Sequence, residues 1–313
     1  MPRLAAPHHF LLHNLVVASE IDLPATRIPP RPPDITYRVN LGAALPVPAH
    51  SRSDDTNDPW ATEHWLGNRL AVEFPGRATF ELSRTEVALV RDESNDPDLL
   101  LHLLLHHVLP RVVALRGDLM LHAAGAVSPA GRAYLFLGSA GTGKSTLVIG
   151  LLSDGWLLLD DDGIRLAKAG DEAFLAFPGS AAVGLLPDVA ATLVPELEPG
   201  PPIAYGSAKR RFAVDGERLR CANAPAPVAG VFVLTRAGAE ESSLSRLSFA
   251  AALGEIARHG FHLADEPTVI PVRAFEHASA LAAATPVWQL LVSNRLDDLT
   301  AARELITGLD AGS

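Results

Sequence analysis

The sequence is poor in cysteine: Cys221 is the only one among 313 residues, so an intramolecular disulfide is excluded. A single thiol is typical of proteins in a reducing compartment, and we therefore expect a cytoplasmic location. The amino-terminal residues also lack the order of basic segment, apolar segment and small-residue cleavage site that marks a secretory signal peptide.

Long apolar runs and basic clusters are scarce as well. The longest apolar stretch, 99–115, is interrupted by three histidines, Pro110 and Arg111, so we expect no membrane insertion. The chain has 36 acidic and 26 basic side chains, a formal net charge of -10, and no run of Lys and Arg longer than three residues. Because an acidic chain without a basic stripe repels phosphate backbones, no nucleic-acid partner is expected.

The residues that are present predict a folded α/β protein with an N-terminal extension. Hydrophobic residues make up 48% of the chain, enough for a sizeable core. Alternating apolar residues over 70–91 predict a small antiparallel sheet, with further strands at 9–24 and 35–39. We therefore predict an N-terminal β-rich domain over 1–95.

A helix is predicted over 96–116, connecting the β-rich domain to an α/β domain over 117–313. Pro97 suits the first turn of a helix, Pro110 predicts a kink and Gly117 a stop. Beyond it, the pattern predicts strands at 119–127 and 133–137. A helix over 144–153 and a strand at 156–159 follow, so the domain begins strand, loop, helix, strand.

A glycine-rich motif lies between the strand at 133–137 and the next helix. Glycines allow backbone N–H groups to converge on phosphate oxygens, and the following helix adds its positive dipole end. Lys144 can reach the β- and γ-phosphates, and the Ser145 hydroxyl can bind Mg²⁺. The predicted phosphate-binding P-loop comprises Gly138, Ser139, Ala140, Gly141, Thr142, Gly143, Lys144, Ser145 and the adjoining Thr146.

Three consecutive aspartates, 160–162, follow the next apolar strand. Ligands of open α/β sheets bind outside the carboxyl ends of the strands, so these side chains should face the phosphates. One carboxylate could hold Mg²⁺, and a second could accept the proton of an attacking hydroxyl. This arrangement predicts phosphoryl transfer rather than binding alone.

Other candidate residues are less specific. His122, predicted on the strand before the P-loop strand, could approach the aspartates if the two strands are neighbours. The basic run Lys209, Arg210 and Arg211 could neutralise charge on a transferring phosphoryl group or be a solvated surface run. His102 and His106 have the i, i+4 spacing of metal ligands, but position 103 is not Glu and ordinary histidines are favoured.

With the His122 segment, the P-loop and the aspartates taken together, the sequence resembles the HPr kinase/phosphorylase superfamily, and in particular its shorter members related to peptide modification. The resemblance is carried by 121–127, 135–146 and 155–162, which occur in the family's order and at similar spacing. It extends over about 117–180. It does not include the downstream glycine-rich signature loop, and Thr146 stands where the HPr enzyme often has Glu.

The resemblance implies a fold like that of phosphoenolpyruvate carboxykinase, Mg²⁺-ATP as cofactor and transfer to a serine hydroxyl of a protein or peptide. It places the general base at Asp162, the metal at Asp161 with Ser145, and His122 beside the pair. It matches Lys209 and Arg210 to a basic segment and is consistent with a homo-oligomer.

Three other functions stay open on the sequence alone. A small-molecule kinase of the shikimate type also has an aspartate soon after the P-loop helix. A non-catalytic nucleotide-binding regulator would need no general base beside the γ-phosphate. A transport ATPase usually has the acidic residue of its strand much further from the P-loop than the aspartates are here. The motif does not distinguish ATP from another nucleotide or from pyrophosphate as donor.

Overall fold

A computed structural model describes residues 7–42, 61–170, 173–203, 207–214, 216–236, 241–261, 263, 270–293 and 299–311. The protein is a mixed α/β structure with several sheets and few helices. The chain divides into two compact units, Met1–Asp118 with Phe261–Ala274, and Leu119–Gly260 with Phe275–Ser313. The helix predicted over 96–116 belongs to the first unit.

The first unit contains an eight-stranded mixed sheet in the order β3-β1-β2-β4-β8-β7-β6-β5. The strand β4 runs parallel to both β2 and β8, and the other neighbouring pairs are antiparallel. The strands are β1 His8–Leu12, β2 Leu15–Ser19, β3 Thr26–Ile28, β4 Ile35–Val39, β5 Thr62–Leu66, β6 Arg69–Phe74, β7 Ala78–Leu82 and β8 Glu86–Asp92.

Two of the strand predictions for this unit are confirmed and one is wrong. The strand at 35–39 and the antiparallel strands within 70–91 are present. The single segment predicted over 9–24 is instead a hairpin of β1 and β2. Its turn residues His13 and Asn14 have φ of 52° and 57°. Positive φ at both central residues matches the twist of a two-residue hairpin turn, which Asn tolerates well.

The helix of the first unit runs as α1, Pro97–Leu103, a wide π-helical segment, Leu104–Val108, and α2, Leu109–Leu115. Asp96 caps its start by accepting hydrogen bonds from the backbone N–H groups of residues 98 and 99, at 3.0 and 3.2 Å. Where the sequence predicts a kink at Pro110, the structure has the π-helical turn. The extra residue in that turn accommodates a proline that has no N–H to donate. Gly117, at φ 90°, follows the helix end.

This helical stretch, Pro97–Leu115, is long and apolar enough by composition to cross a membrane, with a mean hydropathy of 1.4. However, 67% of its most apolar window is buried inside the protein, as in a core helix. Arg111 on α2 is itself buried and lies 2.6 Å from the buried carboxylate of Glu63 on β5. The apolar residues of the helix are thus accounted for by the packing of the first unit.

The second unit is built on a ten-stranded sheet in the order β17-β12-β10-β11-β18-β14-β13-β9, with β20 pairing to both β18 and β19. Five helices, α3 to α7, and a separate two-stranded antiparallel sheet, β15-β16, complete the described secondary structure, with α6 beginning in the first unit. The strands are β9 Leu119–Leu121, β10 Ala124–Val127, β11 Ala133–Leu137, β12 Leu157–Asp160, β13 Ile164–Lys168, β14 Phe174–Phe177, β15 Ala182–Leu185, β16 Arg210–Ala213, β17 Arg220–Cys221, β18 Ala226–Arg236, β19 Ser243–Arg246 and β20 Val287–Val292, and the helices are α3 Lys144–Ser153, α4 Pro187–Leu193, α5 Phe249–Arg258, α6 Ile270–Ala284 and α7 Leu299–Ala311.

The centre of this sheet is buried on both faces. Tyr134 and Phe136 of β11 point to one apolar cluster, which includes α3, and Leu135 and Leu137 point to the other. This division follows from the alternation of side chains along a strand.

Strand direction brings several chain segments to one edge of the sheet. β11 is parallel to β18, and β18 is parallel to β20. β10 is antiparallel to both β11 and β12, so β12 runs in the same direction as β11. We call the edge where β11, β12, β18 and β20 end, and where β10 begins, the carboxyl edge.

The single strand predicted over 119–127 is wrong. The chain bends at His122 and Ala123, so that β9 pairs with β13 while β10 pairs with β11 and β12. His122 therefore lies in the bend that leads into β10 rather than on a strand. This bend places it at the carboxyl edge.

Candidate functional site

Residues 138–143 form a tight loop, the glycine loop, between β11 and α3 at the carboxyl edge. All three of its glycines have positive φ: 146° at Gly138, 82° at Gly141 and 104° at Gly143. A Cβ atom at Gly138 would lie 2.8 Å from Oγ1 of Thr142 and 2.9 Å from the carbonyl oxygen of Leu234. Only glycine fits there without moving the neighbouring backbone.

The glycine loop leads directly into the first turn of α3. The backbone N–H of Leu147 donates to the carbonyl of Gly143 at 2.9 Å, which is the start of the helical hydrogen-bond pattern. The backbone N–H groups of the residues that precede Leu147 in the first turn therefore have no acceptor within the helix. Those groups and the helix dipole favour an anion at this end. The motif predicted from sequence therefore has the strand, loop and helix context that phosphate binding requires.

Lys144 is 8% exposed and lies across the glycine loop. Its Nζ donates to the carbonyl of Gly138 at 2.5 Å and to that of Ser139 at 3.4 Å. Burial lowers the pKa of its ammonium group, whereas the nearby carboxylates of Asp162 and Asp161 act in the opposite direction. The lysine and the two aspartates thus form one electrostatic cluster.

Asp160 at the end of β12 has a structural role that the sequence analysis did not separate from its neighbours. It is 4% exposed. Its Oδ1 accepts hydrogen bonds from the backbone N–H groups of Asp161 and Asp162, at 2.6 and 3.1 Å, and its Oδ2 from that of Ser180 at 2.7 Å. Asp160 therefore fixes the turn that presents the two following carboxylates.

Asp161 is the carboxylate best suited to a metal ion. Its Oδ2 accepts from the backbone N–H of Gly184 at 2.7 Å, while its Oδ1 is buried with no hydrogen-bond partner among the described residues. Burial raises the pKa of this carboxyl group to about 7, and a hydrogen bond from Gly184 and the Ser145 hydroxyl counteract the rise. An unpartnered carboxylate oxygen beside a serine hydroxyl is a set of hard oxygen donors that fits Mg²⁺.

The described part of the chain contains no group of three or more His, Cys, Asp and Glu side chains arranged to hold a metal. Mg²⁺ sites differ from such clusters, because the ion commonly takes one or two carboxylates and completes its shell with waters and substrate phosphates. Asp161 and Ser145 meet that smaller requirement.

Asp162 is more open, with its side chain 34% exposed, and lies beside His122. His122 Nδ1 is 3.2 Å from Asp162 Oδ1. The backbone N–H of His122 donates to the carbonyl of His259 at 2.7 Å, so the residue after α5 holds the bend at His122. His259 was not predicted, since its contribution through a backbone carbonyl has no sequence signal.

The two-stranded sheet β15-β16 brings part of the basic run to the same edge. Gly184, which binds Asp161, is paired with Arg211, and the positive charge of Lys209 lowers the pKa of Asp161. Arg210 is exposed and pairs with Leu185 across β15 and β16. Within the predicted basic run, the positive charge of Lys209 acts on the Asp161 carboxylate.

Arg236 is a second residue that sequence reasoning missed. It ends β18, and its guanidinium donates to the carbonyl of Gly141 at 3.1 Å and to that of Ser293 at 3.4 Å. It therefore ties the glycine loop to the end of β20. The parallel pairing of β18 with its neighbours places it there, and no local motif marks it.

His102 and His106 lie in the first unit, on the helix that contains the π-helical segment. Their ring centroids are 4.8 Å apart, and the ring of His102 is 5.3 Å from that of His107. The neighbouring His107 packs edge-on against Phe74 at 5.6 Å. These contacts are those of packed aromatic rings.

Comparison with solved structures found matches to this chain, whereas the other two comparisons found none. No family model matches the chain, and no curated protein matches its sequence. The structure is similar to that of the Hpr(Ser) kinase/phosphatase from Coxiella burnetii, with a TM-score of 0.30 and 14% sequence identity, covering 62% of this chain and 99% of that chain. A likeness at this level does not by itself establish a function.

Proposed function

We propose that the protein is an ATP-dependent kinase that transfers the γ-phosphoryl group of Mg²⁺-ATP to a serine hydroxyl of a protein or peptide in the cytoplasm. One observation carries the proposal: the carboxyl edge brings the glycine loop with Lys144 together with two aspartates in different environments. Asp161 has a buried, unpartnered oxygen, and Asp162 is open and paired with His122. A protein that only binds phosphate has no need of the second carboxylate.

The glycine loop would hold the donor's phosphates. Its backbone N–H groups and the first turn of α3 supply donors, and Lys144 supplies a positive charge that can move from the loop carbonyls to the phosphates. Lys209 adds a further positive charge that acts on the Asp161 carboxylate. Phosphoryl transfer depends mainly on such positioning and charge neutralisation.

Asp161 and Ser145 would hold Mg²⁺. When bound, the ion neutralises charge on the β- and γ-phosphate oxygens. The deprotonated form of Asp161 binds the cation, and the Gly184 N–H keeps its carboxylate oriented. Asp160 keeps the backbone of the turn in place.

Asp162 would act as the general base. Its carboxylate takes the proton of the acceptor hydroxyl as the hydroxyl oxygen bonds to the γ-phosphorus, and the bond from that phosphorus to the β–γ bridging oxygen breaks to release ADP. His122, 3.2 Å away, orients the carboxylate. Because Asp162 is partly exposed, a hydroxyl on a large acceptor can reach it.

A serine of a protein or peptide as the acceptor is supported by the sequence resemblance to HPr-kinase-related proteins, which covers the His122 bend, the glycine loop and the aspartates. The same resemblance supports a P-loop domain of the HPr kinase and phosphoenolpyruvate carboxykinase type. The partial exposure of Asp162 is compatible with an acceptor that is part of a larger molecule.

The proposal is tested by following phosphate from γ-labelled ATP onto serine-containing proteins and peptides. Asp162→Asn should reduce transfer by about 10²- to 10⁴-fold, since the variant cannot accept the proton, with ATP affinity unchanged within about twofold. Asp154→Asn is the matched control. It removes a carboxylate paired with Arg303 at the far end of α3, and it should leave transfer intact. Undiminished labelling by Asp162→Asn would show that Asp162 is not the base.

A further inference from the structure

The carboxyl end of α5 lies against the bend that contains His122. The backbone N–H of His122 donates to the carbonyl of His259 at 2.7 Å, and Gly260 forms an isolated antiparallel bridge with Leu121. His122 and Ala123 lie between β9 and β10 and belong to neither strand. The two residues that follow α5 therefore extend backbone hydrogen bonding from β9 into the bend.

The helix α5 offers a fixed support for that contact. Its residues Ala252 and Ile256 are 2% and 0% exposed and pack in the apolar cluster that also contains Leu121 of β9. At its start, the Ser248 hydroxyl accepts a hydrogen bond from the backbone N–H of Ala251 at 3.4 Å. This packing and capping hold α5 in place against the sheet.

The ring of His259 folds back onto the last turn of α5. Its Nδ1 lies 2.9 Å from the backbone carbonyl oxygen of Glu255, and the His259 side chain is only 10% exposed. Because a carbonyl oxygen can only accept, Nδ1 carries the proton and donates it to this bond. The same carbonyl accepts from the backbone N–H of His259 at 3.2 Å, so the ring and the backbone of this residue are tied to one point on the helix.

The ring acts here as a neutral hydrogen-bond donor and not as a charge. Burial lowers the pKa of the His259 imidazole, and the positive charges of Lys144 and Arg258 act in the same direction, whereas Glu255 opposes them. Because the ordinary pKa of histidine is already below 7, the ring is neutral at pH 7. Its contribution at that pH is therefore the bond from Nδ1 to the helix.

We infer that His259 is a positioning residue for phosphoryl transfer: its ring fixes the end of α5, its carbonyl holds the bend, and the bend places His122 beside Asp162. The inference rests on the proposed function, in which Asp162 takes the proton of the acceptor hydroxyl. His122 Nδ1 is 3.2 Å from Asp162 Oδ1, and a displacement of about 1 Å would break that contact. His259 should therefore affect the rate of transfer more than the binding of the donor.

Two variants separate the hydrogen bond of the His259 ring from its volume. His259→Leu fills similar space without a donor, whereas His259→Asn places an amide N–H close to the position of Nδ1. We expect His259→Leu to lower kcat for serine phosphorylation by about 10- to 100-fold, with the Kd of Mg²⁺-ATP unchanged within about twofold. His259→Asn should recover most of the lost rate, because it can still donate to the Glu255 carbonyl.

Arg258→Leu is the matched control. Arg258 is the neighbouring residue, its side chain is 70% exposed, and its described ion pair is with the side chain of Glu255 at 3.2 Å. The variant should leave both kcat and the Kd of Mg²⁺-ATP unchanged. An unchanged kcat in His259→Leu, an equal loss in His259→Asn, or a rise in Kd that matches the fall in kcat would overturn the inference.

A double variant tests whether His259 acts through His122. In a chain that already contains His122→Ala, the addition of His259→Leu should lower kcat by no more than about twofold further, because the contact that His259 supports is already lost. If the two losses multiply instead, His259 acts elsewhere and the inference is wrong.

Crystal structures of the native protein and of the two His259 variants give a readout that does not depend on activity. The contact between His122 Nδ1 and Asp162 Oδ1 should be kept in His259→Asn and lost in His259→Leu. A contact kept in His259→Leu would overturn the inference. Absence of phosphate transfer by the native protein would instead refute the proposed function, and this distance would still decide whether His259 positions His122.

Discussion

At the scale of single residues, three consecutive aspartates have three different environments. Asp160 is buried and accepts three backbone hydrogen bonds, so it holds the turn. Asp161 combines one bonded oxygen with one buried and unpartnered oxygen. Asp162 is partly exposed and contacts His122. The surroundings of each carboxylate separate these roles, since the side chains are chemically identical.

The environment of Asp161 predicts a pH-dependent cost in stability. Burial raises the pKa of its carboxyl group from 3.8 to about 7. The folded protein therefore keeps a proton that the unfolded chain has lost, and the free energy of unfolding falls as pH rises through this window. Above pH 7 the buried charge has its full destabilising effect.

We expect Asp161→Asn to raise the Tm more at pH 8 than at pH 5, by about 2–4 °C for each kcal/mol of relief in a unit of this size. The variant removes the charge whose burial is unfavourable, so the gain should be largest where the native carboxyl is ionised. Scanning calorimetry in a chelating buffer checks this. An equal gain at both pH values would mean that Asp161 is not the group responsible.

At the scale of elements, the glycine loop depends on the close approach of β18. Gly138 combines φ of 146° with backbone and side-chain atoms less than 3 Å from where a Cβ would lie. Gly131, in the turn between β10 and β11, also has positive φ, of 78°, but nothing within 4 Å. Replacing Gly131 therefore tests the cost of a strained backbone alone, whereas replacing Gly138 adds a steric clash.

We expect Gly131→Ala to cost about 1–2 kcal/mol of unfolding free energy, the strain of a left-handed backbone. Gly138→Ala should cost more, about 3 kcal/mol or greater, because the neighbouring strand must also move, and it should abolish ATP binding. Urea denaturation and calorimetric titration measure the two effects. Equal costs for the two variants would show that the contact with Leu234 is not restrictive.

The helix of the first unit makes a buried ion pair with β5. Arg111 Nε lies 2.6 Å from Glu63 Oε1, and the guanidinium also donates to the carbonyl of His107 at 2.8 Å, within the π-helical segment. The two side chains are only 3% and 1% exposed. Removing one partner would leave a buried charge without its counterpart.

We expect Glu63→Gln to lower the free energy of unfolding by about 3–5 kcal/mol. The double variant Glu63→Met with Arg111→Met should be considerably more stable than Glu63→Gln, because no isolated charge remains buried. Denaturant titrations of the native protein and the variants test this. If the double variant is the least stable, the pair itself contributes more than its desolvation costs.

At the scale of the whole molecule, the net charge of -10 governs interactions with other macromolecules. We expect the protein to pass through a heparin column at about 150 mM salt and to bind an anion exchanger, because its net negative charge is repelled by a polyanion. Salt-dependent retention on heparin would contradict this prediction.

Elements with strong local signals could be predicted from the sequence. The helix over 144–153 and the strand at 133–137 are confirmed, since each has a continuous apolar pattern bounded by loop residues. The strand pairs β13-β14 and β15-β16 could not be predicted. Their short strands are stabilised by distant partners, and β-propensity depends on that context.

The residues of the candidate site likewise include some that local motifs predict and some that they do not. The loop that begins at Gly138, Lys144 and the aspartates form local motifs, and their proximity follows once β11 and β12 are known to end at one edge. Gly184, Arg236 and His259 have no such signal. They reach the site through strand pairing or through a backbone carbonyl.

The sequence by itself therefore determined the phosphate-binding motif, the acidic run and their order, because these depend on residue type and spacing along the chain. Only the tertiary structure decided which aspartate is buried, where His122 lies, and that the end of α5 supports it there. The physical reason is that burial, charge environment and such contacts arise where strands distant in the chain end together at the carboxyl edge.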